Sequence, residues 1–165
     1  MPYLAFIILG FVIIQRITEL VISNHNTKKL IASGSKEYFS GHYPLIVALH
    51  FGWILALALT ISKSSPVNIY LLVIYFLLQI VRYYIIISLH GNWTTRILRN
   101  SNRALVSQGI YKYIKHPNYI VIAVEIYLLP LIFGLWSVGF IFGTTNLFVL
   151  GIRIHYENKA LAMTS

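Results

Sequence analysis

The chain of 165 residues is 58% hydrophobic and 10% charged, with 13 Lys+Arg against four Asp+Glu and no cysteine; its mean hydropathy is +0.73. A soluble domain carries about 25% charged residues and a disordered chain has low hydrophobicity, so both are excluded and an integral membrane protein remains. The missing cysteines exclude a disulfide framework, thiolate catalysis and cysteine-based metal sites. The net charge of +9 reads as loop charge between apolar runs, not as a nucleic-acid surface.

A helix needs about 20 apolar residues to cross a hydrocarbon core of about 30 Å. Five stretches qualify or nearly qualify: Tyr3 to Ile22, Tyr43 to Ile61, Val67 to Leu89, Tyr119 to Phe133 and Val138 to Ile154. The last two are short and are separated only by Gly134-Leu135-Trp136-Ser137, the pattern of a helical hairpin that tilts or sits in a thinned bilayer. The expected fold is therefore all-α with about five transmembrane helices. It forms one membrane domain over 1–165, with three N-terminal spans in 1–89 and an interfacial segment plus hairpin in 90–165. The first run carries Arg16 and Glu19 and has neither a basic leader nor a small-residue cleavage site, so it reads as a retained helix.

The charges orient the spans. Lys28, Lys29, Lys36, Arg96, Arg99, Arg103, Lys112, Lys115, Arg153 and Lys159 fall on one side, against Lys63 on the other. Cytoplasmic loops are enriched in Lys and Arg, which puts the N-terminus outside and the C-terminus in the cytoplasm. Between the third and fourth spans, the tract Gly91-Asn92-Trp93-Thr94-Thr95-Arg96-Ile97-Leu98 mixes an amphipathic aromatic with basic and apolar residues and reads as lying along the cytoplasmic interface.

All four acids are glutamates, Glu19, Glu37, Glu125 and Glu157. Arg16 and Glu19, spaced i,i+3, can neutralise each other on one helix face. Glu125, two turns into the fourth span, needs protonation or a partner from another helix, for which Arg16 and Arg82 are candidates. Arg82 lies about two turns from the end of its span, within reach of snorkelling. These groups read either as structural ion pairs or as support for a substrate or cofactor site. Glu37 reads as loop charge. Arg153 and Glu157, spaced i,i+4, share a face of the last helix, where such a pair is ordinarily a stabilising salt bridge. The histidines form no metal signature, and Gly139-x-x-x-Gly143 reads as a close helix-packing face.

The segment Leu105-Val106-Ser107-Gln108-Gly109-Ile110-Tyr111, then Lys115-His116-Pro117-Asn118-Tyr119, then Arg153-x-x-x-Glu157 resembles the isoprenylcysteine carboxyl methyltransferase family. Gln15-Arg16-Ile17-Thr18-Glu19-Leu20 and Trp93-Thr94-Thr95-Arg96 are similar to its small bacterial branch. The resemblance implies an S-adenosylmethionine-dependent methyltransferase without a Rossmann domain, releasing S-adenosylhomocysteine. By that resemblance Arg103, Ala104, Leu105, Val106, Tyr111, His116, Pro117, Asn118, Tyr119 and Glu157 form the cofactor pocket. Arg153 orients the acceptor oxygen as the catalytic residue, and no metal is involved. Glu125, Arg16 and Glu19 are substrate or support residues, and Arg96 falls near a further cofactor contact. The implied partners are a lipophilic small molecule entering from the bilayer and the membrane lipids themselves, with the site facing the cytoplasm.

Two departures stand out. Lys115 replaces the arginine of the family motif, keeping charge without the planar fork. The chain stops at Ser165 without the acidic and aromatic tail of members that modify proteins, which favours a small acceptor such as an alkylpyrone-like lipid. Two other readings are open to the residues: an NADPH-dependent sterol-reductase-like enzyme, which shares the His-Pro-Asn-Tyr hairpin, and a small transporter using Glu19 or Glu125 as a proton-coupled carboxylate.

Because the natural chain has no cysteine, single cysteines report its sidedness. A membrane-impermeant maleimide applied to intact cells is expected to label Lys63→Cys, and to label Lys36→Cys only after permeabilisation. The opposite pattern overturns the orientation.

Overall fold

In a computed structural model the described residues are 3–100 and 108–164. They form five helices: α1 (Leu4–Ala32), α2 (Tyr43–Thr60), α3 (Ile69–Ser88), α4 (Pro117–Ile132) and α5 (Trp136–Ala162). Two short 3-10 turns, Ser40–His42 and Gly109–Lys112, precede α2 and α4. One two-stranded antiparallel ladder pairs β1 (Lys36–Glu37) with β2 (Leu98–Arg99) in the register Lys36↔Arg99. Four helices are long and apolar enough to cross a membrane, while α4, at 16 residues, spans about 24 Å and is the short member.

Polar residues cluster on the inner faces of α1 and α3 while large apolar side chains point outward, and the rest of the interior is an apolar core that includes Trp53, Tyr75, Leu129 and Phe133. On α3 the buried positions include Gln79 and Arg82, while Leu77, Ile80 and Ile87 are exposed. On α1 the buried face continues through Gln15, Glu19, Ser23, Asn26 and Thr27, while Ile7, Ile14 and Val21 point outward. Only a lipid solvent makes that arrangement favourable.

Two helices outrun their expected spans. The apolar run of α1 ends near Ile22, yet the helix continues to Ala32, because Ser23, Asn26 and Thr27 find partners in residues 93–95. It stops at Ser33-Gly34, where Gly34 takes φ +90°. Helix α5 continues past Ile154 to Ala162 and so carries Arg153 and Glu157 on one rod. The hairpin between α4 and α5 turns at Gly134 (φ +71°), whose backbone lies against Pro66. At Gly143 a Cβ would fall 2.4 Å from the Tyr127 ring, so the close packing face expected at Gly139-x-x-x-Gly143 is there.

The centre of the bundle holds a closed box of four charges. Arg82 of α3 grips Glu19 of α1 with Nε and Nη2, both at 2.7 Å, and reaches Glu125 of α4 with Nη1 at 2.8 Å. Arg16 donates to Glu125 at 2.8 Å and to Glu19 at 3.0 Å. Gln79 donates to Glu125 at 2.7 Å and accepts from Gln15 at 2.6 Å. Each carboxylate thus receives both guanidiniums, and the box is neutral. The i,i+3 pair expected at Arg16 and Glu19 is present as one edge of it. Glu125 takes both of the arginines that were its candidate partners. Arg82 points inward instead of snorkelling, because two carboxylates solvate it better than a distant headgroup region.

Breaking a buried pair from one side leaves an uncompensated charge, at a cost of about 3–5 kcal/mol. Arg82→Met is expected to lose that much stability in detergent unfolding followed by helical circular dichroism. A loss below about 1 kcal/mol would mean that the box does not hold the helices.

Candidate active site

The site lies at the end of the bundle where the basic loops gather. The C-terminal turns of α1, α3 and α5 and the start of α4 surround a cavity of about 1230 Å³. Residues 93–97 form one wall: Trp93 and Ile97 are buried at 4% exposure each. The tract expected along the cytoplasmic interface is folded onto the end of α1. Asn26 donates to the Trp93 carbonyl at 2.8 Å, and the Thr27 and Thr94 hydroxyls meet at 2.8 Å.

The opposite wall begins with Tyr111 and continues into α4, where Pro117 occupies the first helical turn, a position that needs no N–H donor. His116, just outside the helix, stacks on Tyr119 with ring centroids 5.1 Å apart and planes 11° from parallel. Tyr119 in turn connects the two α5 residues. Arg153 Nε donates to the Tyr119 hydroxyl at 2.8 Å, and that hydroxyl donates to Glu157 Oε2. The ordinary i,i+4 salt bridge between Arg153 and Glu157 is therefore replaced by a relay through a phenol. Arg153 also donates from Nη1 to the Thr95 carbonyl at 2.6 Å. Nη2 has no protein partner among the described residues.

Glu157 is held from a second side by Arg99 Nη2 at 3.3 Å. Arg99 projects from β2 into the cavity lining, a role that its place in a basic, polar stretch did not signal. Arg96 pairs with Glu37 through Nη1 at 2.9 and 3.1 Å and lies 4.6 Å over the Tyr43 ring. Glu37 is thus not a free loop charge. It anchors the cavity wall beside the β1–β2 ladder.

Of the residues expected at a cofactor site, Tyr111, His116, Pro117, Asn118, Tyr119 and Glu157 all line this cavity. So does Arg153. Arg103, Ala104, Leu105 and Val106 lie outside the described residues. Glu125, Arg16 and Glu19 are off the lining and belong to the charge box. Among the described residues, three buried polar atoms in the lining have no protein partner: Arg99 Nε, His116 Nε2 and Asn118 Oδ1. Buried polar atoms are ordinarily bonded, so this donor and acceptor set is complementary to a polar ligand.

Burial holds the Tyr111 phenol at about 12, with Glu157 pushing the same way, so it stays a neutral donor. Burial likewise lowers the His116 pKa; Glu157 opposes the shift, while Lys115, Arg99 and Arg153 add to it. The 3.7 Å approach of His116 Nδ1 to Glu157 is therefore a contact of a neutral imidazole at pH 7, not an ion pair.

A model of the isoprenylcysteine carboxyl methyltransferase (ICMT) family matches residues 70–163, which include nearly all of α3, all of α4 and α5, and most of the cavity lining. The chain belongs to that family. An uncharacterized protein of Bacillus subtilis (strain 168), YpbQ, is 34% identical over 159 residues, covering 94% of this chain and 95% of the relative. An uncharacterized protein of Haemophilus influenzae is 26% identical over 153 residues, covering 89% and 88%. No solved structure matches the chain. Membership in the ICMT family implies membrane-associated methyltransferase activity, and the apolar helices are those of an integral membrane protein.

The depressed His116 pKa has a direct readout. Its ring proton signals are expected to titrate below the ordinary value of about 6.5. Because the unfolded chain protonates first, the stability contributed by neutral His116 is present above that pH and is lost as pH falls through the folded value. Titration above 6.5 in labelled protein would contradict the burial argument.

Proposed function

We propose that this ICMT-family protein is an S-adenosylmethionine-dependent O-methyltransferase. Its acceptor is a carboxylate or an enol or phenol oxygen of a lipophilic molecule, isoprenylcysteine-like or alkylpyrone-like, drawn from the bilayer. The site faces the cytoplasm, where the basic loops lie. The observation that carries this reading is the convergence of Tyr111, His116–Tyr119, Arg153 and Glu157 on one large cavity.

The lining suits the cofactor. Unpartnered Asn118 Oδ1 and the Glu157 carboxylate can accept the amino and hydroxyl hydrogens of a nucleoside, and unpartnered Arg99 Nε can donate to a carboxylate. The Tyr119–His116 stack offers a flat face for an adenine ring. When bound, S-adenosylmethionine would supply an electrophilic sulfonium methyl, whose transfer to an anionic oxygen forms the O–C bond as the S–C bond breaks and S-adenosylhomocysteine leaves.

The protein's own task is alignment, because a carboxylic acid or an acidic hydroxypyrone-type enol is already an anion near neutral pH and needs no strong base. Arg153 is built for that task. Its plane is fixed at two points, the Tyr119 hydroxyl and the Thr95 carbonyl, and Nη2 remains to hold the acceptor oxygen by a charge-assisted hydrogen bond. Glu157 is oriented by Tyr119 and Arg99, so it is presented as an acceptor and not consumed by Arg153.

Calorimetry on purified protein in detergent is expected to show binding of S-adenosylhomocysteine, lost in Glu157→Ala. Arg153→Ala is expected to keep that binding within about threefold while lowering methyl transfer at least about 100-fold. The acceptors for the assay are a 4-hydroxy-6-alkyl-2-pyrone and an S-farnesyl cysteine derivative. Binding of NADPH instead, or normal turnover by Arg153→Ala, would overturn the assignment.

A further inference from the structure

The buried face of α1 serves two places at once. Gln15, Arg16 and Glu19 belong to the charge box, and the next turns present Ser23, Asn26 and Thr27 to residues 93–95. Serine and threonine hydroxyls in helices commonly bond back to the carbonyl one turn earlier. Thr18 on this helix does so, donating to the Ile14 carbonyl at 2.9 Å. Ser23 points across the interface instead. Its Oγ accepts the Thr95 N–H at 2.9 Å and lies 2.8 Å from the Thr95 hydroxyl. At 1% exposure, Ser23 has no water to substitute for that partner.

Thr95 is thus held at its amide and its side chain by one residue, and its carbonyl is the group that accepts Arg153 Nη1 at 2.6 Å. Ser23 thereby fixes where Thr95 sits, at its amide and its side chain, and the peptide unit that carries the carbonyl is held at its other end by Arg96 N–H donating to the Thr94 hydroxyl at 3.1 Å. Among the described residues the other bond fixing the guanidinium, from Nε to Tyr119, leaves it a hinge about that contact. We propose that Ser23 and Thr95 are positioning residues for methyl transfer: they set the plane of the Arg153 guanidinium and so the aim of Nη2 at the acceptor oxygen. The inference rests on the role given to Arg153 under the proposed function, and it adds a residue of the first helix, Ser23, outside the stretch that matches the family model.

Small displacements of an aligning group cost on the order of 100-fold in rate. The test is single-turnover transfer of a labelled methyl group, at saturating S-adenosylmethionine, to whichever of the two acceptors above the wild-type protein uses. Ser23→Ala is expected to lower the transfer rate by roughly 10- to 100-fold, with S-adenosylhomocysteine affinity changed less than about twofold. In an Arg153→Ala background the same substitution should change the residual rate less than about twofold, because its effect passes through Arg153. Thr95→Val keeps the shape and the amide N–H, and should give a loss of roughly 3- to 10-fold.

A wild-type rate in Ser23→Ala overturns the inference, as does a loss of similar size in the Arg153→Ala background, which would mark Ser23 as general support. Should Ser23→Ala fail to bind S-adenosylhomocysteine, Thr95→Val decides: full rate with intact binding overturns the inference. If the wild-type protein methylates neither acceptor, the proposed acceptor class fails and the inference falls with it. A working wild type beside a silent Ser23→Ala effect isolates the failure to the inference alone.

Discussion

The neutral box formed by Arg16, Glu19, Arg82 and Glu125 is the interaction on which the rest of this structure depends. In lipid there is no hydrophobic force pressing helices together, so association rests on packing and on polar contacts between helices. Here three helices, α1, α3 and α4, each contribute charge to one closed set. No member can leave without stranding another at low exposure, and Gln15 and Gln79 occupy further valences of the carboxylates. The geometry also explains why a chain with so few acids places two of them inside its spans. Two arginines in hydrocarbon need two carboxylates.

From that anchor the polar face of α1 runs as a ruler toward the cavity. One turn beyond Glu19 stands Ser23, then Asn26 and Thr27, each fastening one residue of the 93–95 wall. The wall holds Arg153, Arg153 holds Tyr119, and Tyr119 holds Glu157. Alignment chemistry demands such a chain of fixed contacts, since the reaction is governed by the approach of two small groups and not by a strong base. Rigid helices carry most of it, and the short β1–β2 ladder with the Arg96–Glu37 pair closes the remaining side.

Much of this was legible in the sequence, for reasons that can be stated residue by residue. Hydropathy located the apolar cores of the helices because lipid imposes a length and a composition. Spacing on one helix foretold that Arg16 and Glu19 would meet, because i,i+3 neighbours share a face. The same rule misjudged Arg153 and Glu157, where Tyr119 from another helix inserts its hydroxyl between them. Helix ends were missed at Ala32 and Ala162 because polar residues continue a helix only when distant partners receive them, and the pairing of residues 23–27 with 93–95 is tertiary. Arg99 and Glu37 looked like loop charge for the same reason: their partners stand about 60 residues away in sequence. The motif residues on α4 and α5 were found because they lie close together along the chain and match a family pattern.

The central claim is that the cavity at the end of the bundle where the basic loops gather is the cofactor site, distinct from the charge box between the helices. A structure of the full chain in lipid nanodiscs with S-adenosylhomocysteine tests it most directly. The account predicts the nucleoside between residues 93–99 and 111–119, with Glu157 on its polar edge and Arg153 Nη2 facing the remaining space. Density for the ligand beside Arg16 and Glu125, or elsewhere with this cavity empty, would contradict it.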